Sequence, residues 1–254
     1  MRIGIVTGGS KGIGKCLTRA LVQHGPDLDE LWVVSRSPLQ VDLNICGGIP
    51  IRQIRLDISG PDSQTEFTAL LHESGATVAF LIANAGVAEA FKVSDSVNDL
   101  RFFAATRSMV STNIWGTVSI VYASLPFMGA QSKILIIGSI SALVPTPGLS
   151  VYTSTKAFLR HWAFALREEL RPRGISVTIA HPAKVRTEAV EGVVKQTGSI
   201  KLRLMPSQSS GYFARRGVRA AMNGKAEVTP GAYGLFAVLA KCLPAAWKAR
   251  LVRL

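Results

Sequence analysis

The chain has 254 residues, 48% hydrophobic and 18% charged, a balance that fits one folded domain with a large core and argues against intrinsic disorder. Its 29 Lys and Arg against 16 Asp and Glu give a net charge of +13, and three scattered cysteines, Cys16, Cys46 and Cys242, speak against a disulfide framework or a zinc site and are expected to be free, mostly buried thiols. The charge is uneven: through Glu191 there are 18 basic and 15 acidic residues, and after it 11 basic residues against Glu227 alone.

From the N-terminus, residues 2–7 read as an apolar strand with no basic n-region or cleavage site ahead of it, so a cytoplasmic protein is expected. Thr7 to Lys15, TGGSKGIGK, then sets Gly8, Gly12 and Gly14 where this strand turns into a helix over 12–24. Missing Cβ atoms permit positive φ and let backbone amides approach a pyrophosphate, whose charge a helix N-terminus favours. Strands are expected next at 31–35 and 51–56, a helix at 61–74, and a strand at 77–83. A helical stretch over 96–127 with a break, a strand at 133–138, a helix at 151–171 and strands at 175–180 and 226–229 follow. Apolar strands separated by helices predict a single α/β domain, a doubly wound parallel sheet covered on both faces. Residues 186–225 lack a steady period and are expected to form a substrate lid over the carboxyl ends of the strands.

Two features bear on chemistry directly. The second strand ends Val33-Val-Ser-Arg-Ser37 without the acid that would hold a ribose 2′-hydroxyl, and Arg36, with Lys11 in the glycine turn, suits a 2′-phosphate. NADP(H) is therefore the expected cofactor. Tyr152 and Lys156 stand four apart and share a helix face. A free phenol titrates near about 10, and an adjacent ammonium is expected to lower that and fit Tyr152 for proton transfer.

Thr7-Gly-Gly-Ser-Lys-Gly-Ile-Gly14, Asn84-Ala-Gly86, Asn113, Ser139, Tyr152-Thr-Ser-Thr-Lys156 and Pro182 to Thr187 recur in one order over about residues 1–190. Together they resemble the short-chain dehydrogenase/reductase family. The resemblance implies a single Rossmann-type domain over 1–254 and a cofactor site built from Gly8, Ser10, Lys11, Gly12, Ile13, Gly14, Ser35 and Arg36. It also implies that Asp57 contacts the adenine amino group beside Ile58, that Asn84, Ala85 and Gly86 border the cofactor, and that Pro182, Val185 and Thr187 meet its carboxamide. Ser139 is implied to bind the substrate oxygen, Tyr152 to pass the proton, Lys156 to hold the nicotinamide ribose, and Asn113 to support a water relay. One departure stands at Ala183, where the family usually has Gly; a positive φ there would strain the chain.

These residues point to NADPH-dependent reduction of a small-molecule carbonyl, or the reverse oxidation of an alcohol, without a metal. Leu143, Val144, Ala88, Phe91, Leu202, Leu204, Met205, Tyr212 and Phe213 are expected to give the substrate an apolar lining, with Lys195, Lys201, Arg203, Arg215 and Arg216 interleaved. A lipid ketone or a 3-oxoacyl thioester fits that mixture. A homodimer or homotetramer is the family's habit. The basic apolar segment 235–254 suits an acyl carrier protein or an anionic membrane surface, or simply covers a sheet edge. The rival readings are a non-catalytic NADP-binding sensor or scaffold, and nucleic-acid binding, for which no reader motif exists.

Overall fold

The computed structural model describes residues 1–38, 48–91, 93, 99–185, 188–199 and 203–252. Cys46, Thr187, Lys201, Leu202 and Arg253 lie outside the described residues. Seven parallel strands form the frame: β1 (Arg2–Thr7), β2 (Glu30–Ser35), β3 (Ile51–Arg55), β4 (Thr77–Ala83), β5 (Lys133–Ile137), β6 (Ser176–Ala180) and β7 (Glu227–Val228). Their order is β3-β2-β1-β4-β5-β6-β7, with Val6 level with Val33 on one side and Ile82 on the other. The chain runs outward from β1 to β3 and returns beside β1 as β4, which opens a crevice at the carboxyl ends of β1 and β4.

Because successive strand residues face opposite sides, each strand feeds two cores. Ile3, Ile5, Trp32, Leu81 and Ile136 bury on one face together with Phe67 and Leu71 of α2 (Ser63–Ser74) and Leu159 and Leu166 of α5 (Ser150–Leu170). On the other face Val6, Val33, Ile82 and Leu135 bury with Leu17 and Leu21 of α1 (Gly12–His24) and Phe213 and Val218 of α7 (Ser210–Met222). Helices on both faces explain why these strands read as apolar throughout.

The long helical stretch resolves into α3 (Leu100–Val110), a π-helical turn over Ser111–Gly116, and α4 (Thr117–Ser124). Gly116 lies in that turn because a Cβ would fall 2.7 Å from Ile58 Cγ1. After β6 come α6 (Glu188–Thr197), α7, β7, α8 (Tyr233–Cys242) and α9 (Ala245–Leu251). Among the described residues no helix is long and apolar enough to cross a membrane.

Three expectations need correction. Residues 210–222 are a core helix and no part of a lid; Phe213, expected to line the substrate, is fully buried between sheet and α1. Small residues hid it, since Ala214, Gly217 and Ala221, at helical spacing with Phe213 and Val218, do the packing that larger residues usually signal. Leu143 and Val144 are likewise buried, against Ala237 and Ala240 of α8, and do not line an open site. Cys242, expected to be a buried thiol, is exposed, whereas Cys16 is half-buried.

Phe213→Ala should cost about 3–5 kcal/mol through the cavity it leaves, seen as a fall in the urea midpoint; a change within error would mean that α7 does not anchor this face.

Candidate active site

The crevice between β1 and β4 is tied across by one threonine. Thr7 Oγ1 accepts from the Asn84 amide at 2.9 Å and the Ala85 amide at 3.0 Å, while Asn84 Nδ2 donates to Thr7 O at 2.9 Å and Gly8 O at 3.2 Å. Glycine is obligatory here for two reasons. Gly8 has φ +64°, and a Cβ on Gly14 would lie 1.9 Å from Gly8 O. The turn therefore packs directly on Asn84 and Ala85, and α1 begins at Gly12 with no acid in its first turn and no side-chain cap at Lys11. A cradle that side chains would fill, at the positive end of a helix, fits a pyrophosphate. Ser10 is buried in the turn and Ile13 packs into the α1 core.

At the end of β2, the buried Ser35 hydroxyl donates to Ser37 O at 2.8 Å. The exposed Arg36 guanidinium stands 3.8 Å from the Asp57 carboxylate. Burial alone would raise the Asp57 pKa, but hydrogen bonds from the Ser59 hydroxyl and amide, with the Arg36 charge, hold it below its ordinary value. Ile58 beside it is buried.

Beyond the crevice lies a second cluster. Ser139 leaves β5 in an extended conformation and caps a 3-10 turn, its Oγ accepting from the Ser141 amide at 3.1 Å. The Ser139 hydroxyl is also near enough to the Tyr152 phenol to act on its pKa. Tyr152 and Lys156 come from the first turns of α5, where the stripe Lys156, Leu159, Ala163, Leu166 faces the sheet and carries the lysine inward. Lys156 Nζ donates to Ile137 O at 3.0 Å and sits 6.0 Å from the centre of the Tyr152 ring. Burial lowers the Lys156 pKa to about 8.

The expected activation of Tyr152 is not what this arrangement produces. Burial raises the phenol above its ordinary value, and the Ser139 hydroxyl opposes the rise without reversing it. The reason is direction: the ammonium is bound to the Ile137 carbonyl and lies by the ring.

Asn113 sits fully buried in the π-helical turn. Its Oδ1 accepts from the Val87 amide at 2.8 Å, and its Nδ2 donates to Val87 O at 2.9 Å and Thr155 Oγ1 at 3.1 Å. Thr155 Oγ1 in turn donates to Tyr152 O at 2.7 Å. Asn113 thus joins the loop after Gly86 to the helix that carries Tyr152. A Cβ on Gly86 would lie 3.1 Å from Asn113 Oδ1 and 3.5 Å from Lys156 Nζ. The role of Thr155 was legible only as a polar residue one place before Lys156.

The segment after β6 closes the far side. Pro182 O accepts from the Ile140 amide at 3.0 Å, and the buried Val185 bridges Gln208. Ala183 is unstrained: among the described residues only Gln131 is a non-glycine with positive φ. Gly138 is required, since a Cβ would lie 2.6 Å from Nδ1 of the buried His181. His181 Nε2 lies 3.0 Å from Glu227, which also accepts from Arg160 Nε at 2.6 Å and from Lys241. Burial acts to raise the Glu227 pKa, but His181, Arg160 and Lys241 together drive it far below the carboxylate range. Nothing in the sequence pairs Glu227 with Arg160, which lie 67 residues apart.

The family model for short chain dehydrogenases matches residues 2–198. The chain belongs to that family. Among curated short-chain dehydrogenase relatives, it is 31% identical over 182 residues to a very-long-chain 3-oxoacyl-CoA reductase of Podospora anserina, covering 68% of this chain and 52% of that protein. It is 30% identical over 193 residues to a sulfoacetaldehyde reductase of Chromohalobacter salexigens, covering 72% of each. The chain spans about half the length of the Podospora protein. Among solved structures, a short-chain dehydrogenase from Sphingobium yanoikuyae in complex with NADPH has a TM-score of 0.74 at 22% identity, covering 94% of this chain and 92% of the other. A 3-oxoacyl-[acyl-carrier protein] reductase from Brucella melitensis in complex with NAD gives 0.72 at 18% identity, covering 90% and 94%. These two share the fold; the dehydrogenase chemistry of the family is oxidation and reduction of carbonyl and alcohol groups.

A lysine whose pKa is lowered from 10.5 to about 8 binds fewer protons folded than unfolded between those values, so its penalty is full below about pH 8 and fades as pH rises towards 10.5. Lys156→Met should therefore melt above the parent chain at pH 7, and that advantage should shrink from pH 8 upward. A melting difference independent of pH would show that Lys156 is not a buried cation.

Proposed function

We propose that this short-chain dehydrogenase is an NADPH-dependent reductase that converts a lipophilic ketone to an alcohol. The observation that carries the reading is the Ser139–Tyr152 hydroxyl pair with Lys156 buried beside it, one crevice away from the glycine turn. Bound NADPH supplies hydride to the carbonyl carbon. Ser139 Oγ donates to the substrate oxygen and stabilises the charge that develops there. Tyr152 Oη gives that oxygen its proton. A phenol held protonated is in the form that a proton donor needs. The N–H groups of Lys156 not given to Ile137 O suit the nicotinamide ribose. Asn113 and Thr155 fix the helix turn on which this depends.

Arg36, exposed at the end of β2, is proposed to take the 2′-phosphate, with Lys11 adding a second charge and Asp57 facing adenine. A greasy substrate is supported by the exposed Leu204 and Met205 in the segment before α7 and by the name of the Podospora relative. A 3-oxoacyl thioester or lipid ketone is the substrate class to try first. Phe103, Trp115, Tyr122 and Phe158 are each exposed on the elements from α3 to α5, which supports a homo-oligomer.

Tyr152→Phe should abolish NADPH consumption with 3-oxoacyl thioesters or lipid ketones while NADPH still binds. Retained turnover sinks the donor role, and binding without turnover in the parent chain would favour the sensor reading. Arg36→Asp should lower the NADPH over NADH preference by about tenfold or more; an unchanged ratio places the phosphate elsewhere.

A further inference from the structure

The segment after β7 is an inside-out amphipathic pair. α8 turns its small residues Ala237 and Ala240 inward onto Leu143 and Val144, and leaves its large apolar residues outside. Leu235 is 69% exposed, Val238 59% and Leu239 56%, and at 100° per residue these share one stripe with Cys242. α9 continues the surface after the Pro244 break with Trp247 at 61% and Leu251 at 64% exposure. Burying alanines while exposing leucines makes no sense for a helix that faces water alone.

The pair is also held stiffly. Lys241 is paired with Glu227, and Lys248 Nζ donates to Leu143 O and Ala240 O at 3.0 Å each. Those bonds fix the helices to the body, so the outer face is preformed. Of the four basic residues that follow Glu227 in the sequence, Lys241 and Lys248 are used in this anchoring, and Arg250 is exposed on α9 with no acid after Glu227 to offset it.

We infer that the outer face of α8 and α9 docks on an anionic lipid surface, with Leu235, Leu239 and Trp247 entering the headgroup boundary. Leucine and tryptophan supply the apolar insertion, and the exposed Arg250 meets the lipid charge, within the field of a chain whose net charge is +13. Neither helix is long enough to span, so the contact is peripheral. A second copy is a poorer occupant, because each face would bring the Arg250 charge and no free carboxylate to answer it, Glu227 being already held by His181, Arg160 and Lys241. The docking does not depend on the catalytic reading above, and its test reads no turnover.

The purified chain should co-sediment with phosphatidylcholine vesicles containing phosphatidylserine, bind phosphatidylcholine alone weakly, and release as salt rises. Leu235→Ser with Leu239→Ser leaves the charge unchanged, so a fall in vesicle affinity of about tenfold or more, with an unaltered circular dichroism spectrum, isolates apolar insertion from the general basicity of the chain. If that variant misfolds, the unaltered chain decides: bromine-labelled lipid should quench tryptophan fluorescence, and the quenching should disappear in Trp247→Phe. Sedimentation indifferent to the leucine substitutions would overturn the docking, as would quenching that survives in Trp247→Phe. So would a dimer, seen by light scattering without vesicles, that the leucine substitutions dissociate, since the face would then belong to a second copy.

Discussion

The close approach of the first glycine turn to the end of β4 is the constraint on which the rest of the structure depends. Thr7 holds two successive amides of the Asn84 turn, and Gly14 stands where any side chain would strike Gly8 O. That contact sets the crevice where the sheet order reverses, and with it the gap between the helix N-terminus of α1 and the loop after β4. The same loop reaches Asn113 through Val87, and Asn113 reaches Thr155 and so Tyr152. The glycine turn and the helix turn that carries Tyr152 are therefore parts of one connected network.

Electrostatics in this site are governed by what burial does to isolated groups. Lys156 has a carbonyl for a partner and no carboxylate, so its ammonium is weakened; Tyr152 has a hydroxyl for a partner and remains a phenol. Glu227 is the opposite case. Three nitrogen side chains converge on one carboxylate, which stays ionised at any working pH. Arg160 stands one helical turn beyond Lys156 on α5, so this fixed charge ties the helix that carries Tyr152 and Lys156, the end of β6 and α8 together.

That tie gives the basic end of the chain a place in the architecture. α8 covers the turn that follows Ser139, with its alanines allowing close approach, and presents leucine and phenylalanine outward. A surface of this kind lies over the wall of the candidate active site at Leu143 and Val144. The packing of the two helices follows from small residues and three lysine bonds more than from apolar bulk.

The sequence by itself determined the parallel α/β frame, because strands buried on both faces must be apolar throughout, and it determined the glycine turn and the spacing of Ser139, Tyr152 and Lys156, because these rest on local geometry within one or two elements. Most helix and strand limits were legible within a residue or two for the same reason. Only the tertiary structure decided that Phe213, Leu143 and Val144 are core, that Ala183 is unstrained, and that Glu227 gathers Arg160, His181 and Lys241. It also decided the direction of the Tyr152 shift, which depends on where Lys156 points and not on its spacing. Such outcomes turn on contacts between residues far apart in the chain, and burial sets their energies; neither distance nor burial is written in a linear order of residues.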